Sequence, residues 1–395
     1  MQVEHPRVWG SRPRVMELVN TFHLGGAEGQ VVELLRGLSS DFETSAAAID
    51  AQGAHLQTVR GLGIEPFEMP LKGGLIRVNT PLQIARLAHK LRQGRVQLLH
   101  AHDFYSSLLA VPAARLAGAK VVVGRLDLGH WHGKGQRLAL AAATRAADFV
   151  IANAEAVRRH LVETERLPQE RIELIRNGID LDRFDRARQA PLASPLPALK
   201  GRIAVAHVAN MIHPVKAQED LFEAVRALAD RCPSLVVLLL GDGPRRPMLE
   251  QLVGQAGLGG RIHFLGHRPD VPAVLARCQI GVLCSHAEGL SNAIIEGMAA
   301  GLPMVVTDAG GNGELVSDGA TGLVVPVRAP LALAEGIEKL ASSEELRASL
   351  GAAARARVER ELTLRRLVER HAALYRTVLG SPARASNRAL DACDR

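Results

Sequence analysis

The sequence predicts two doubly wound α/β domains in tandem, on three observations. Short apolar, β-branched runs alternate with longer amphipathic segments, the pattern of parallel strands wound in β-α-β units. The alternation stops at one proline-rich stretch and then restarts. The chain has 395 residues, too many for one ordinary core. Composition agrees: 47% hydrophobic and 23% charged residues belong to a globular protein, neither disordered nor collagenous.

In the first half, strand-like runs fall at 15–20, 45–50, 97–101, 121–124, 149–153 and 172–175, with helical spacing between them over 28–38, 82–91 and 155–165. Residues 190–200 hold three prolines and read as a linker. Strand-like runs resume at 203–209, 235–240, 262–265, 280–284, 304–307 and 323–325. Two helical stretches, 331–359 and 364–379, are too long for one more repeat. The expected organisation is therefore a first domain over 1–189, the linker, a second domain over 201–362, a closing helix over 363–380, and a polar flexible tail over 381–395.

No apolar run reaches the about 18–20 residues that a membrane-crossing helix needs. The start is polar, so no secretory signal is visible and a cytoplasmic location is expected. The four cysteines, Cys232, Cys278, Cys284 and Cys393, form no C-x-x-C pair, so disulfides are not expected. The net charge of +7 is uneven: residues 1–200 hold 26 Lys/Arg against 20 Asp/Glu, and the remainder 22 against 21. A basic first half, with Arg86, Lys90, Arg92 and Arg95 on or just after one predicted helix, points to peripheral contact with an anionic membrane; a solvated helix face is the other reading. Nucleic acid is not expected as a partner, because with 3% aromatic residues a base-stacking platform is hard to build.

Open α/β sheets bind ligands at the carboxyl ends of their strands, and two facing sheets make a cleft. Four motifs fall at such ends. Leu24-Gly25-Gly26-Ala27-Glu28 lies between the first strand and the first helix, where two glycines admit close backbone approach and a helix amino terminus favours anions. It is not G-x-G-x-x-G, and Gly241-Asp242-Gly243-Pro244-Arg245-Arg246 also fails that fingerprint. His100-Ala101-His102-Asp103 ends a buried strand. Its two histidines point the same way, which suggests metal ligation, contact with a transferred group, or core histidines; no third metal ligand is evident. Lys216, after Asn210-Met211-Ile212-His213-Pro214-Val215, suits a diphosphate.

The fourth motif, from Ser285 to Pro303, follows a strand, and its latter part is a helix ending near Gly301-Leu302-Pro303. Leu290, Ser291 and Asn292, after Gly289, present backbone amides at the helix start. Glu288 lies just outside the helix and Glu296 within it, so two acids flank an anion site and can hold hydroxyls on either side of a phosphate. Glycosidase-like acid/base work is the rival, with nothing to supply its second face.

This last stretch resembles the E-x7-E motif of the family 4 retaining glycosyltransferases, which have the GT-B fold of two facing Rossmann-like domains. The resemblance covers nearly the whole chain. Gly25-Gly26-Ala27-Glu28 is similar to that family's glycine loop, and His102-Asp103 to its histidine at the end of the fourth strand. Asn177-Gly178-Ile179-Asp180 with Phe184 is similar to its turn before the second domain. Gly301-Leu302-Pro303 and Gly310-Gly311-Asn312-Gly313-Glu314 are similar to its G-x-P and GG-x-x-E segments.

The resemblance implies transfer of a sugar from a nucleotide sugar, such as a UDP- or GDP-sugar, to a glycan, lipid-linked or small-molecule acceptor, with retention at the anomeric carbon and no metal or other cofactor. Cell-envelope or exopolysaccharide synthesis is the implied setting. By position, Glu296 binds the ribose hydroxyls, Lys216 neutralises the departing diphosphate, and the amides of Leu290, Ser291 and Asn292 add donors. Glu288 holds sugar hydroxyls, His102 lies beside the sugar, Gly26 lies close to the diphosphate or acceptor, and the backbone near Arg268 receives the base. The final helix returns to the first domain. Preorganised donors aimed at a leaving diphosphate lower its barrier most.

One departure stands out. The family often has arginine before the lysine, where this chain has Asn210, and Arg125 of the first domain is the candidate to restore the charge. Asp180-Leu181-Asp182 imitates a D-x-D metal site but lies within the turn motif and reads as structural. Two alternatives accompany the transferase reading: a nucleotide-sugar epimerase on the same fold, and a non-catalytic nucleotide-sugar-binding subunit.

Overall fold

The structure, a computed structural model, describes residues 12–23, 25–71, 79–129 and 132–380. Leu24 of the glycine loop, Cys393 and the expected tail 381–395 lie outside the described residues. The chain forms two compact units. The first takes the described residues up to Asn153, then Arg158–Ile175, then those from Leu367 onward; the second takes Ala154–Val157 and Arg176–Arg366.

The first unit contains β1 (Arg14–Val19), α1 (Gly26–Leu38), β2 (Glu43–Ala48), α2 (His55–Gly61), β3 (Phe67–Glu68), α3 (Asn79–Gln93), β4 (Leu98–Ala101), α4 (Phe104–Ala117), β5 (Lys120–Arg125), α5 (Lys134–Ala146), β6 (Phe149–Ala152), most of α6 (Glu155–Glu163) and β7 (Ile172–Leu174). The strands form one parallel sheet in the order β3-β2-β1-β4-β5-β6-β7. The strands are short and apolar because helices cover both faces of the sheet. Val15, Leu18, Leu98, Leu99, Val121, Val122 and Val123 are fully buried. Asp103 starts α4 with a capping box shared with Ser106, and Gly118 ends it in the left-handed conformation.

The second unit contains α7 (Leu181–Arg188), β8 (Ile203–Val208), α8 (Gln218–Ala227), β9 (Leu235–Leu240), α9 (Arg246–Gln255), β10 (Ile262–Gly266), α10 (Val271–Leu275), β11 (Ile280–Leu283), α11 (Asn292–Ala299), β12 (Met304–Thr307), α12 (Asn312–Leu315), β13 (Gly322–Val325), α13 (Pro330–Ser342) and α14 (Glu344–Glu361). Its parallel sheet runs β10-β9-β8-β11-β12-β13. The last helix, α15 (Leu364–Val378), begins at the end of this unit and runs into the first.

Three features differ from the sequence expectation. The 331–359 stretch is two helices, because the Ser343 hydroxyl accepts the Leu346 amide at 3.1 Å and starts α14 afresh. The two-residue β3 is too short to leave a period in sequence. The proline-rich 190–200 segment lies inside the second unit rather than between the units. The chain changes units at 175–176 instead, because Asp185 of α7 pairs with both guanidinium nitrogens of Arg355, at 2.6 and 2.8 Å, and Arg268 grips the Ser194 carbonyl at 3.0 Å.

In each sheet the strand order reverses once, between β1 and β4 and between β8 and β11. Such a switch point leaves a crevice at the carboxyl ends of those strands, the place where this architecture takes ligands. All four chemistry-bearing motifs follow one of these four strands.

The turn before the second sheet depends on Gly178. Ile179 exchanges backbone hydrogen bonds with Leu362 and Leu364, and a Cβ on Gly178 would stand 2.5 Å from the Thr363 carbonyl oxygen. Asp180 caps α7 through Arg183 at 3.0 Å, the structural role expected of the D-x-D string. Gly178→Ala is expected to cost about 1–3 kcal/mol by overpacking, read as a lowered Tm in thermal unfolding.

Candidate active site

In the second unit the site grows from two loops at the switch point. Pro214–Lys216 forms one turn of 3-10 helix after β8, closed by Ala217 at φ 51, a left-handed conformation unusual for a residue with a side chain. Cys284, at the end of β11, donates its thiol to the Ala217 carbonyl at 3.1 Å, and the His286 amide donates to the Val215 carbonyl at 2.8 Å. These bonds hold the Lys216 turn against the loop that carries the first acid. Lys216 Nζ then donates to Glu288 Oε1 at 2.5 Å.

The Glu288 loop is held from behind by missing side chains. A Cβ on Gly310, itself at φ 57, would stand 1.8 Å from the Glu288 carbonyl oxygen, and one on Gly311 would stand 2.4 Å from that of Gly289. The bare backbone lets the Gly311 amide donate to the Gly289 carbonyl at 2.8 Å. The double glycine of the GG-x-x-E segment is thus a packing requirement of the acidic loop.

Leu290, Ser291 and Asn292 lead into α11. Ser291 occupies the cap position, yet its hydroxyl makes no cap bond, so the positive end of the helix is not closed by its own side chain. Asn177 fixes this end from outside, donating to Asn292 Oδ1 at 2.7 Å. Glu296 lies one turn into α11, part-buried, and loss of solvent pushes its carboxyl up to about 7.

Asn210 follows β8. Its side-chain oxygen accepts only a long 3.4 Å bond from the Ile212 amide, and its carbonyl accepts from Gln218 Nε2 at 3.1 Å. The Arg268 side chain is spent on Asp270, at 2.6 and 2.8 Å, and on Ser194, which leaves only its backbone for a ligand. Arg125 is a correction. Its guanidinium grips Glu165 in a two-pronged pair at 2.7 and 2.9 Å, with Thr144 Oγ1 at 3.2 Å, and it is buried within the first unit. That charge is neutralised locally, so Arg125 does not restore the charge missing at Asn210.

In the first unit, Gly25 is the extended residue before α1 and Gly26 the first residue of the helix. A Cβ on Gly25 would stand 2.1 Å from Glu28 Oε2, so the glycine leaves room for a carboxylate folded back over its own helix start. Burial raises the Glu28 carboxyl, and Asp103 adds to the rise. His102 follows β4. Its Nε2 lies 2.6 Å from Oε2 of Glu17, a residue of β1 that sequence reasoning did not single out. Glu17 is directly opposite His100 in strand register, and His100 Nδ1 lies 3.1 Å from the same oxygen. The third partner that the sequence did not offer the two histidines is therefore present, and the three ligand atoms lie within 4.8 Å of one another. Tyr375 of α15 completes the group, donating to Glu17 Oε1 at 2.8 Å.

The fold and these loops define a two-unit α/β protein with a cation, a carboxylate and an open helix start at the switch point of its second sheet. A family model described as Glycosyltransferase Family 4 matches residues 24–183, and one described as Glycosyl transferases group 1 matches residues 202–343. The chain belongs to the family 4 glycosyltransferases and has the GT-B fold. It is 29% identical to the putative glycosyltransferase EpsF of Bacillus subtilis over 320 residues, 75% of this chain and 80% of that one. It is 27% identical to the D-inositol 3-phosphate glycosyltransferase of Streptomyces scabiei over 375 residues, 85% and 82% of the two chains. The crystal structure of Anabaena HepE in complex with UDP shares the fold, with a TM-score of 0.79, 20% identity, and 92% of this chain and 100% of that one covered.

The raised Glu296 carboxyl has a consequence for stability. In the unfolded chain a glutamate ionises near pH 4.5, whereas in the fold it holds its proton until about 7. Stability therefore falls as pH rises from about 4.5 to 7 and then levels off. Glu296→Gln removes that loss. The variant is expected to exceed the wild type by about 1–3 kcal/mol at pH 8 and to match it near pH 4.5, read by denaturant unfolding at both values.

Proposed function

We propose that the protein is a retaining, metal-independent hexosyltransferase that takes its sugar from a nucleotide sugar and passes it to a glycan, lipid-linked or small-molecule acceptor. The observation that carries this reading is the Lys216–Glu288 pair beside the uncapped start of α11. An ammonium and a helix amino terminus together suit a diphosphate leaving group, whose charge grows as the sugar departs. Glu288 exchanges its lysine partner for sugar hydroxyls, and Glu296 accepts hydrogen bonds from the ribose hydroxyls. His102 is assigned to the transferred sugar by its place in the family motif, and Gly26 to the diphosphate or acceptor. Two cationic elements in place of a divalent ion support metal independence. The UDP bound in Anabaena HepE and the inositol phosphate named for the Streptomyces scabiei relative support a nucleoside diphosphate leaving group and a hydroxyl acceptor.

A thermal-shift screen over nucleoside diphosphates and nucleotide sugars identifies the base, since a ligand at 100 times its Kd stabilises by about 2.7 kcal/mol. With that donor, proton NMR of the product is expected to show the anomeric configuration of the donor. Lys216→Ala is expected to lower kcat by about 100-fold or more. Glu296→Ala is expected to raise the donor KM by about 10- to 100-fold with a smaller effect on kcat. Inversion at the anomeric carbon overturns retention; wild-type kinetics in both variants overturn the site.

Peripheral contact with anionic lipid through α3 belongs to the same proposal. Arg86 and Lys90 both lie 5.6 Å from the centre of the Phe67 ring, a basic pair on an aromatic base. Arg92 is already engaged by the Leu116 carbonyl, which leaves the cluster smaller than the sequence count implies. Flotation with phosphatidylserine vesicles, and its loss in Arg86→Glu/Lys90→Glu, is the expected result; equal flotation with neutral vesicles rejects the contact.

A further inference from the structure

Glu17, which the donor site does not itself use, sits in a group that includes His102 and is built at high electrostatic cost. Glu17 lies in the middle of β1 with no exposed surface, as does Tyr375 on α15; His100 is 1% exposed and His102 6%. A buried carboxylate is tolerated only when its oxygens are filled with donors. Glu17 has three at hand: His102 Nε2 at 2.6 Å and His100 Nδ1 at 3.1 Å on Oε2, and the Tyr375 hydroxyl at 2.8 Å on Oε1. Burial alone would raise the Glu17 carboxyl, but the hydrogen bonds that the two histidines donate hold it below the usual carboxylate range.

Proton counting fixes the ring states. An ionised carboxylate only accepts, so His102 must carry a proton on Nε2. Tyr375 has one hydroxyl proton and gives it to Glu17, so toward His100 Nδ1, 2.6 Å away, it can only accept. His100 therefore carries its proton on Nδ1, and its Nε2, which has no partner, is bare. Burial pushes His100 down to about 4, which keeps that ring neutral near pH 7. His102 is left with Nδ1 as its one ring nitrogen not bound to Glu17.

We propose that Glu17 is a positioning residue for the transferase: its carboxylate locks His102 with the proton on Nε2 and presents Nδ1 to the transferred sugar. Tyr375 holds the second carboxylate oxygen, so α15 is part of the device. The inference rests on the assignment of His102 to the sugar. It follows the logic by which a buried carboxylate fixes the tautomer and orientation of a working histidine.

The test reads the ring directly in the full-length protein. Histidine labelled with nitrogen-15 is incorporated, and the His102 signals are assigned by their loss in His102→Gln. Without any ligand, the wild type is expected to show a protonated Nε2 and an unprotonated Nδ1 on His102. Glu17→Gln is expected to give a mixture of the two tautomers. With UDP-glucose as the probe, release of UDP is expected to fall by about 10- to 1,000-fold in kcat while KM stays within about threefold, because orientation and not donor binding is lost. Should Glu17→Gln not accumulate as folded protein, Tyr375→Phe carries the test, with an expected shift of the His102 Nε2 proton resonance.

A proton on Nδ1 of His102 in the wild type, or ring signals unchanged in both variants, overturns the proposal. So does a stoichiometric zinc or iron ion in the purified protein, which would make Glu17, His100 and His102 a metal centre. If the wild type releases no UDP but the ring states behave as stated, the donor reading fails while the lock on His102 stands.

Discussion

A parallel strand covered on both faces has no solvated side, so charge can live only at its end or in a fully paired cluster. That constraint organises the molecule. β9 is six apolar residues, all buried, and most of the other strands keep to the same rule. Polar chemistry is displaced to the loops that follow β1, β4, β8 and β11, where each sheet reverses its order. Glu17 is a fully buried exception, a carboxylate inside a central strand, and it is surrounded by two imidazoles and a phenol. The rule and its exception have the same cause, the cost of an unpaired charge away from water.

Placement at the strand ends also depends on side chains that are not there. Gly310 and Gly311 bring one loop against the backbone of Glu288 and Gly289, and Gly241 lets its loop pass within van der Waals reach of the Ala209 carbonyl just before Asn210. Gly25 leaves the space that the Glu28 carboxylate fills. In each case the glycine acts for another residue's position. Such glycines keep a loop narrow, which a larger residue with favourable packing elsewhere could not do.

The strand pattern and the four motifs were legible in the sequence because period, punctuation and spacing are local. All but the two-residue β3 lie within two residues of an expected run, and Glu288 and Glu296 stand outside and inside α11 as their spacing requires. What was not legible is pairing at a distance. Arg125 looks available in sequence, and only the fold brings Glu165, forty residues on, to neutralise it. Glu17 gives no sign within its strand; its partners come from β4 and from α15, up to 358 residues away. The proline-rich segment misled for a related reason. Proline marks where regular structure stops, but the Asp185–Arg355 ion pair and the backbone bonds of Ile179 with Leu362 and Leu364 decide to which unit the chain belongs.

The two polar clusters differ in how completely they are satisfied, and that difference suits the support and donor-binding roles proposed for them. Both oxygens of Glu17 are filled within the first unit, so nothing further is needed there for the carboxylate to remain ionised. Around α11 the reverse holds. Ser291 leaves the helix start without a side-chain cap, Glu296 is desolvated without a counter-charge, and Lys216 and Glu288 neutralise one another across 2.5 Å. A helix end, a carboxylate and an ion pair left in that state cost stability in the free protein. A diphosphate and a set of hydroxyls would relieve all three at once, the anion meeting the lysine and the helix, the hydroxyls meeting the two acids. On the proposed donor site, stability withheld in the fold alone would be recovered on binding, through groups aimed at the charge that grows on the leaving group.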